Sequence, residues 1–204
     1  VLFDINKNEV NVVALDGYRL AKVKKSITSN IVKSIVIPAR SVSELSKMID
    51  DSDEVINIYV DDYTIMVDLG DTKVTSRLLE GDYVNYKKII PANYENFITV
   101  NKATFEEALE RATLLSKTSN SNFVKFDIRE NNILLTSNSE LGNLKENIPV
   151  TLMGNDIIIS FNPRYFLESL KSVTNDFVKL CFNNSSTPCV IVPTEGDEFL
   201  YLIL

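Results

Sequence analysis

The stretch Ile35-Val36-Ile37-Pro38-Ala39-Arg40-Ser41-Val42-Ser43-Glu44-Leu45-Ser46-Lys47 is written a second time as Ile159-Ser160-Phe161-Asn162-Pro163-Arg164-Tyr165-Phe166-Leu167-Glu168-Ser169-Leu170-Lys171. Arg40, Glu44 and Lys47 recur as Arg164, Glu168 and Lys171 at one constant offset. Each copy passes from an apolar strand into a short helix and then into paired strands. A repeat this long is a duplicated domain and not a solenoid unit, whose period is far shorter. The i, i+4, i+7 spacing sets the three charged residues on one helix face. Two domains therefore present the same basic–acidic–basic face, an arrangement suited to an extended ligand.

Outward from the repeat, the chain reads as mainly β with a few helices. In the first half, strands are expected over 10–14, 20–23, 34–37, 55–60, 64–69 and 73–78, with Asp16-Gly17 as a turn. A helix over 41–50 would carry Val42, Leu45, Met48 and Ile49 on its apolar stripe. Residues 80–96, with Pro91 and several tyrosines, read as a linker. In the second half, Thr104-Phe105-Glu106-Glu107 forms a capping box, Thr104 as N-cap and Glu107 reaching back. That helix runs to about residue 116, with Phe105, Ala108, Leu109, Ala112 and Leu115 on one face. Asn162-Pro163 starts a second helix as N-cap and N1. Further strands fall at 97–100, 123–128, 132–137, 144–150, 156–160, 177–182, 189–193 and 199–204. The expected class is α+β: duplicated domains of antiparallel sheet, 1–95 and 96–204, with two helices per complete domain lining one face. The first domain lacks its opening helix.

Composition narrows the function. A length of 204 residues allows one large or two modest domains, and the repeat favours two. An apolar content of 45% with 24% charged residues is that of an ordinary soluble globular protein. Cys181 and Cys189 lie inside apolar runs and read as reduced, buried thiols of an intracellular protein. No apolar run approaches a membrane span, and no signal peptide is visible. The chain opens on Val1 and stops within what reads as a strand, so it is expected to be a piece of a longer polypeptide. There is no histidine, and most hydrolase and zinc chemistries thereby lose their usual apparatus. Neither a Walker loop nor a Gly-rich dinucleotide fingerprint occurs, and no cofactor or metal is expected. The acidic clusters Asp50-Asp51-Ser52-Asp53-Glu54 and Asp61-Asp62 would suit a two-metal nuclease only if they converged. The simpler reading ends a helix with the first and turns a hairpin with the second.

Particular residues go further. Val12-Val13-Ala14-Leu15-Asp16-Gly17-Tyr18-Arg19-Leu20-Ala21 resembles the ATDGHRLA segment of the bacterial DNA polymerase III β-subunit family, the sliding clamps. Val36-Ile37-Pro38-Ala39-Arg40 resembles that family's VIVPRK junction of strand and helix. Leu79-Glu80-Gly81-Asp82-Tyr83-Val84-Asn85-Tyr86-Lys87-Lys88-Ile89-Ile90-Pro91 is similar to its crossing between domains two and three, and Phe161-Asn162-Pro163-Arg164-Tyr165 to its FNxxY segment. Tyr201-Leu202-Ile203-Leu204 matches the strand that leads into the family's C-terminal P-(M/V)-R-(L/V). The resemblance covers the whole chain in order and implies most of domain two plus domain three.

What it implies is a head-to-tail ring that encircles duplex DNA and tethers the polymerase, without catalytic residues, in the bacterial cytoplasm. Helices would line the hole, with Arg40, Lys47, Arg111, Lys117, Arg164 and Lys171 approaching phosphates in a salt-sensitive, sequence-independent contact. Read without the resemblance, Glu44 and Glu168 lie between these cations and make surface pairs. A net charge of −7 fits a positive lumen inside an acidic outer wall. The second implied site is a pocket for short peptides of clamp loader, polymerases and repair proteins. Its wall would be Leu15, Gly17, Tyr18, Arg19, Leu20, Lys88, Ile89, Asn162, Tyr165, Ser186, Pro188, Leu202, Ile203 and Leu204, an apolar cleft with a few polar groups. Ile89 and Leu202 also read as plain core, and Tyr165 as a helix-stripe aromatic. Tyr18 stands where the family commonly has histidine, Val84 where it has proline, and Lys88 where it often has arginine, whose fork of donors a lysine lacks. The family's terminal Pro-x-Arg-x segment and the segment just before Val1 are absent as well, so a pocket with a missing rim and weakened affinity is expected. Leu114 and Leu115 match the apolar patch by which domain three meets domain one of the next subunit in a homodimeric ring. Two rival classes are a duplicated peptide-binding scaffold without DNA contact, and a metal-dependent enzyme built on the acidic clusters.

Overall fold

A computed structural model describes residues 1–49, 55–116, 122–140 and 142–204. The chain forms two compact units, one of Val1–Ala14 with Lys22–Lys87, the other of Leu15–Ala21 with Lys88–Leu204.

The first unit holds β1 (Leu2–Asn6), β2 (Glu9–Leu15) but for its last residue, β3 (Arg19–Ser26) from Lys22 onward, and β4 (Lys33–Val36). β1 lies between β2 and β4, with Leu2 opposite both Val13 and Val36. The strand β1 was not expected from the sequence, because Leu2 and Ile5 are buried with Asp4 between them and the alternation fails. Tertiary partners settle it. Asp4 accepts hydrogen bonds from the Ser34 hydroxyl at 2.8 Å and the Tyr86 hydroxyl at 3.0 Å, and Lys87 Nζ stands 3.2 Å away. Helix α1 (Ala39–Met48) follows, two residues earlier than the stripe suggested. Its N-cap is Pro38, which offers no side-chain cap, and Ile49 is already extended. Of the expected stripe, Leu45 is buried and Val42 half-buried, whereas Met48 and Ile49 are exposed. The helix ends before a second apolar turn can reach the core. A sheet of β5 (Asn57–Val60), β6 (Thr64–Asp68) and β7 (Lys73–Arg77) completes the unit. Its first hairpin turns as expected on an aspartate. Asp61 Oδ1 accepts from the backbone N–H of Tyr63 at 2.7 Å and of Thr64 at 2.6 Å. Ile5, Ile35, Ile37, Leu45, Ile65 and Val67 form the core.

The second unit contains β8 (Asn96–Asn101), α2 (Lys102–Ser116), β9 (Val124–Arg129), β10 (Asn132–Ser139), β11 (Gly142–Met153), β12 (Ile157–Phe161), α3 (Pro163–Leu170), β13 (Phe177–Phe182), β14 (Cys189–Pro193) and β15 (Phe199–Ile203). Its strands run in the order β12-β9-β10-β11-β8-β13-β14-β15, antiparallel throughout. The duplication is legible in the topology. β4-β1-β2 repeats as β12-β9-β10, and β5-β6-β7 as β13-β14-β15. The long β11 pairs with β10 along its first part and with β8 from Val150 onward.

The cap of α2 differs from the capping box. Asn101, not Thr104, is the capping residue, its Oδ1 accepting from the N–H of Thr104 at 3.0 Å and from its hydroxyl at 3.1 Å. An asparagine at the strand end competes better for the free N–H groups, and Thr104 becomes the third helical residue. Phe105, Ala108, Leu109 and Ala112 are buried as expected, and Leu115 is half-buried. For α3 the expectation holds: Asn162 accepts from the N–H of Arg164 at 3.1 Å, with Pro163 in the first turn. Phe105, Phe126, Phe161 and Phe166 meet at centroid distances from 5.3 Å to 6.2 Å between these helices and β9 and β12. Most of these pairs are edge-to-face, the arrangement that ring quadrupoles favour. Cys181 and Cys189 are buried free thiols, and burial pushes the first to about 11. Among the described residues no helix is long and apolar enough to cross a membrane.

Candidate functional site

A side-chain cluster in the second unit is built on the short segment Leu15–Ala21. Asp16 organises its turn, with Oδ1 accepting from the N–H groups of Tyr18 and Arg19 at 3.2 Å each. Gly17 has φ +91°, a backbone state that favours glycine. The carbonyl of Tyr18 accepts from the N–H of Leu204 at 2.9 Å, tying the segment to the end of β15. The turn delivers two side chains to helix α3. The Tyr18 ring stacks near the Tyr165 ring, centroids 6.3 Å apart and 27° between planes. The Arg19 guanidinium lies 4.8 Å from the Tyr165 centroid, a cation–π contact. Its Nε donates to Asp16 Oδ2 at 2.8 Å and its Nη1 donates to Glu168 Oε2. Those two carboxylates raise the Arg19 pKa, Asp16 contributing first and Glu168 next. Burial alone would raise the Asp16 carboxyl, but Arg19 and the turn N–H groups hold it below its ordinary value.

The other residues of the expected pocket fall into three sets. Leu20, Leu202 and Ile203 are buried, with Leu202 opposite Val190 and Ile203 opposite Cys189. Leu15, Asn162 and Pro188 are half-buried. Lys88, Ile89, Ser186 and Leu204 are exposed, and the loop bearing Ser186 is pinned by its N–H donating to Asn184 Oδ1 at 2.9 Å. Hydrogen bonds and ring contacts thus join Tyr18, Arg19 and Tyr165, and the Leu204 backbone, at one place. Two further members, Asp16 and Glu168, were not singled out for the pocket. Sequence spacing pointed Glu168 toward its helix neighbours, and only long-range packing reveals the contact with Arg19.

The basic helix faces are uneven. Arg40, Arg164 and Lys171 are exposed and make no ion pair among the described residues. Lys47 pairs with Glu44 at 3.0 Å, a surface pair of small energy. Arg111 is held in a fork by Glu146, at 2.6 Å through Nε and 2.7 Å through Nη2, the two-pronged geometry that guanidinium and carboxylate share. Lys117 and the acidic residues 50–54 lie outside the described residues. Asp61 is spent on its turn, and Asp62 pairs with Lys33 at 2.8 Å. Leu114 is exposed on α2 beside half-buried Leu115. The first unit also holds a cleft of about 470 Å³ between β4 and the end of β7, lined by Lys33, Tyr63, Arg77 and Leu79 among others.

Comparison with known proteins is consistent across sequence and fold. Residues 1–85 match the family profile of the DNA polymerase III beta subunit, central domain, and residues 87–204 that of its C-terminal domain. The chain is 34% identical over 203 residues to a beta sliding clamp of Staphylococcus epidermidis, covering 98% of this chain and 54% of the relative. It is 32% identical over 205 residues to a beta sliding clamp of Staphylococcus aureus, again covering 98% and 54%. Among solved structures it superposes on a putative DNA polymerase III beta subunit from Eubacterium rectale with TM-score 0.95 and 34% identity, covering 100% of this chain and 55% of that one. It matches the DNA polymerase sliding clamp from Bacillus subtilis with TM-score 0.95 and 30% identity, covering 100% and 55%. The chain spans about half the length of these relatives.

Proposed function

The chain belongs to the DNA polymerase III β-subunit family, and on that premise we propose that it carries the partner-peptide site of a sliding clamp. In the whole protein, a non-catalytic homodimeric ring around duplex DNA in the bacterial cytoplasm would tether the replicative polymerase, with clamp loader and repair proteins using the same site in turn. Residues 1–95, with the linker included, and 96–204 serve as the second and third clamp domains. The observation that carries this proposal is the junction of the neighbours Tyr18 and Arg19 with Tyr165, distant from both in sequence and joined to them by stacking and cation–π contact. Such a surface offers aromatic faces and a charged edge to a short peptide with Leu or Phe anchors. Exposed Leu114 is the subunit-contact candidate.

On the DNA side, Arg40, Arg164 and Lys171, without ion pairs among the described residues, support the ring. They are cations available to phosphates, whereas Arg111 is already bound by Glu146. That commitment, with the Glu44–Lys47 pair, is what favours the second reading, a peptide-binding scaffold without DNA contact. Titration of a fluorescent Gln-Leu-Ser-Leu-Phe peptide tests the site. Saturable binding that Tyr165→Ala abolishes supports it; binding unchanged by Tyr165→Ala places the peptide elsewhere, and absence of binding rejects the site.

A further inference from the structure

Glu44 and Glu168 hold the same place in the two copies of the repeat, each three residues before a lysine. Their carboxylates behave differently. Glu44 pairs with Lys47 of its own helix at 3.0 Å. Glu168 leaves Lys171 and instead accepts from Arg19, 149 residues away in sequence. Lys171 makes no ion pair among the described residues, so the local partner stood available and was not taken.

The consequence falls on Arg19. Asp16, three residues away in the same turn, holds Nε, while Glu168 holds Nη1 from helix α3. Tyr165 lies three residues before Glu168 on that helix, so the carboxylate and the ring it serves move as one body. Asp16 ties the guanidinium to its own turn, and Glu168 ties it to the helix that bears Tyr165. A long arginine side chain has much rotamer freedom, and ordering it during binding weakens affinity.

We infer that Glu168 is a positioning residue of the peptide site: it holds the Arg19 guanidinium on the face of Tyr165, so that the Tyr18–Arg19–Tyr165 surface is formed before a peptide arrives. This rests on the peptide-site reading above. Glu168 does not touch the peptide and acts through Arg19.

A double-mutant cycle with the same fluorescent peptide decides it. Glu168→Gln and Arg19→Gln each weaken binding about three- to tenfold, and the double variant binds no worse than Arg19→Gln alone. In parallel, the Arg19 Nε–H nuclear magnetic resonance signal, shifted by the Tyr165 ring, moves toward the position of a free arginine in Glu168→Gln. A purely structural role in α3 would leave that signal in place and make the two losses additive. Wild-type or tighter binding by Glu168→Gln, additive losses, or an unmoved signal each overturn the inference, while loss of binding in Tyr165→Ala keeps the site itself standing. Failure of the wild-type chain to bind sinks the site and the inference together.

Discussion

Carboxylates of one residue type are put to different uses in this chain, and their surroundings decide which. Asp61 caps a hairpin turn, Asp16 closes a turn and grips Arg19, and Asp4 sits within a strand among three donors. For Asp4, burial pushes the carboxyl up, yet the hydrogen bonds of Ser34, Tyr86 and Lys87 together hold it below its ordinary value of 3.8. Asp16 moves the same way for the same kind of reason. A depressed folded-state pKa means that the stabilisation is complete above 3.8 and is lost as pH falls through the lower folded value. The urea midpoint should therefore drop as the pH is lowered past about 4, and Asp4→Asn should flatten that drop while lowering the midpoint at neutral pH. An acid profile unaltered by Asp4→Asn would remove Asp4 from the account. The partner hydroxyl agrees in sign: burial first, and Asp4 next, raise the Tyr86 pKa.

At the scale of elements, the two repeated helices began from similar sequence and ended with different support. α3 has an asparagine cap, a proline in its first turn, and buried Phe166 and Leu170; α1 has a proline at the cap and only Leu45 buried. The cap of α2 offers the sharper test, because two residues compete for the role. Asn101→Ala should cost about 1 kcal/mol of stability, the ordinary loss for an N-cap, and Thr104→Ala clearly less. Denaturant titration of both variants ranks them, and the reverse order would restore Thr104 as the cap. The elements were largely legible: strands over Phe177–Phe182 and Cys189–Pro193, the hairpin at Asp61 and the Asn162 cap appear where local pattern put them. Two features were missed: β1, whose partners lie far along the chain, and the true cap of α2, where Asn101, three residues before Thr104, takes the role.

For the whole molecule, a net charge of −7 opposes general attraction to DNA, so any contact must come from where the cations stand. Arg40 and Arg164, Lys47 and Lys171 occupy matching places in the duplicated units. In the whole protein, replacing all four by glutamine should shorten retention on circular DNA and reduce the salt dependence of that retention. Peptide binding should be unaffected, since the contacts that join Tyr18, Arg19 and Tyr165 use none of the four side chains. Unchanged retention would favour the scaffold reading, in which duplication serves peptide capture alone.

The sequence by itself determined the duplication, the succession of strands and helices, the turn chemistry and the stretches that resemble the clamp family. These are local: periodicity, caps and turns act over a few residues, and a repeat is visible without any coordinates. Only the tertiary structure decided which partner each charge found. Spacing offered Glu168 the same kind of lysine that Glu44 accepted, yet Glu168 binds Arg19 instead. Surface pairs differ by less than about 1 kcal/mol, so local rules leave such choices nearly degenerate. Folding breaks the tie by bringing Arg19 to Glu168, Glu146 to Arg111 and Tyr86 to Asp4, contacts whose sequence separation no local pattern encodes.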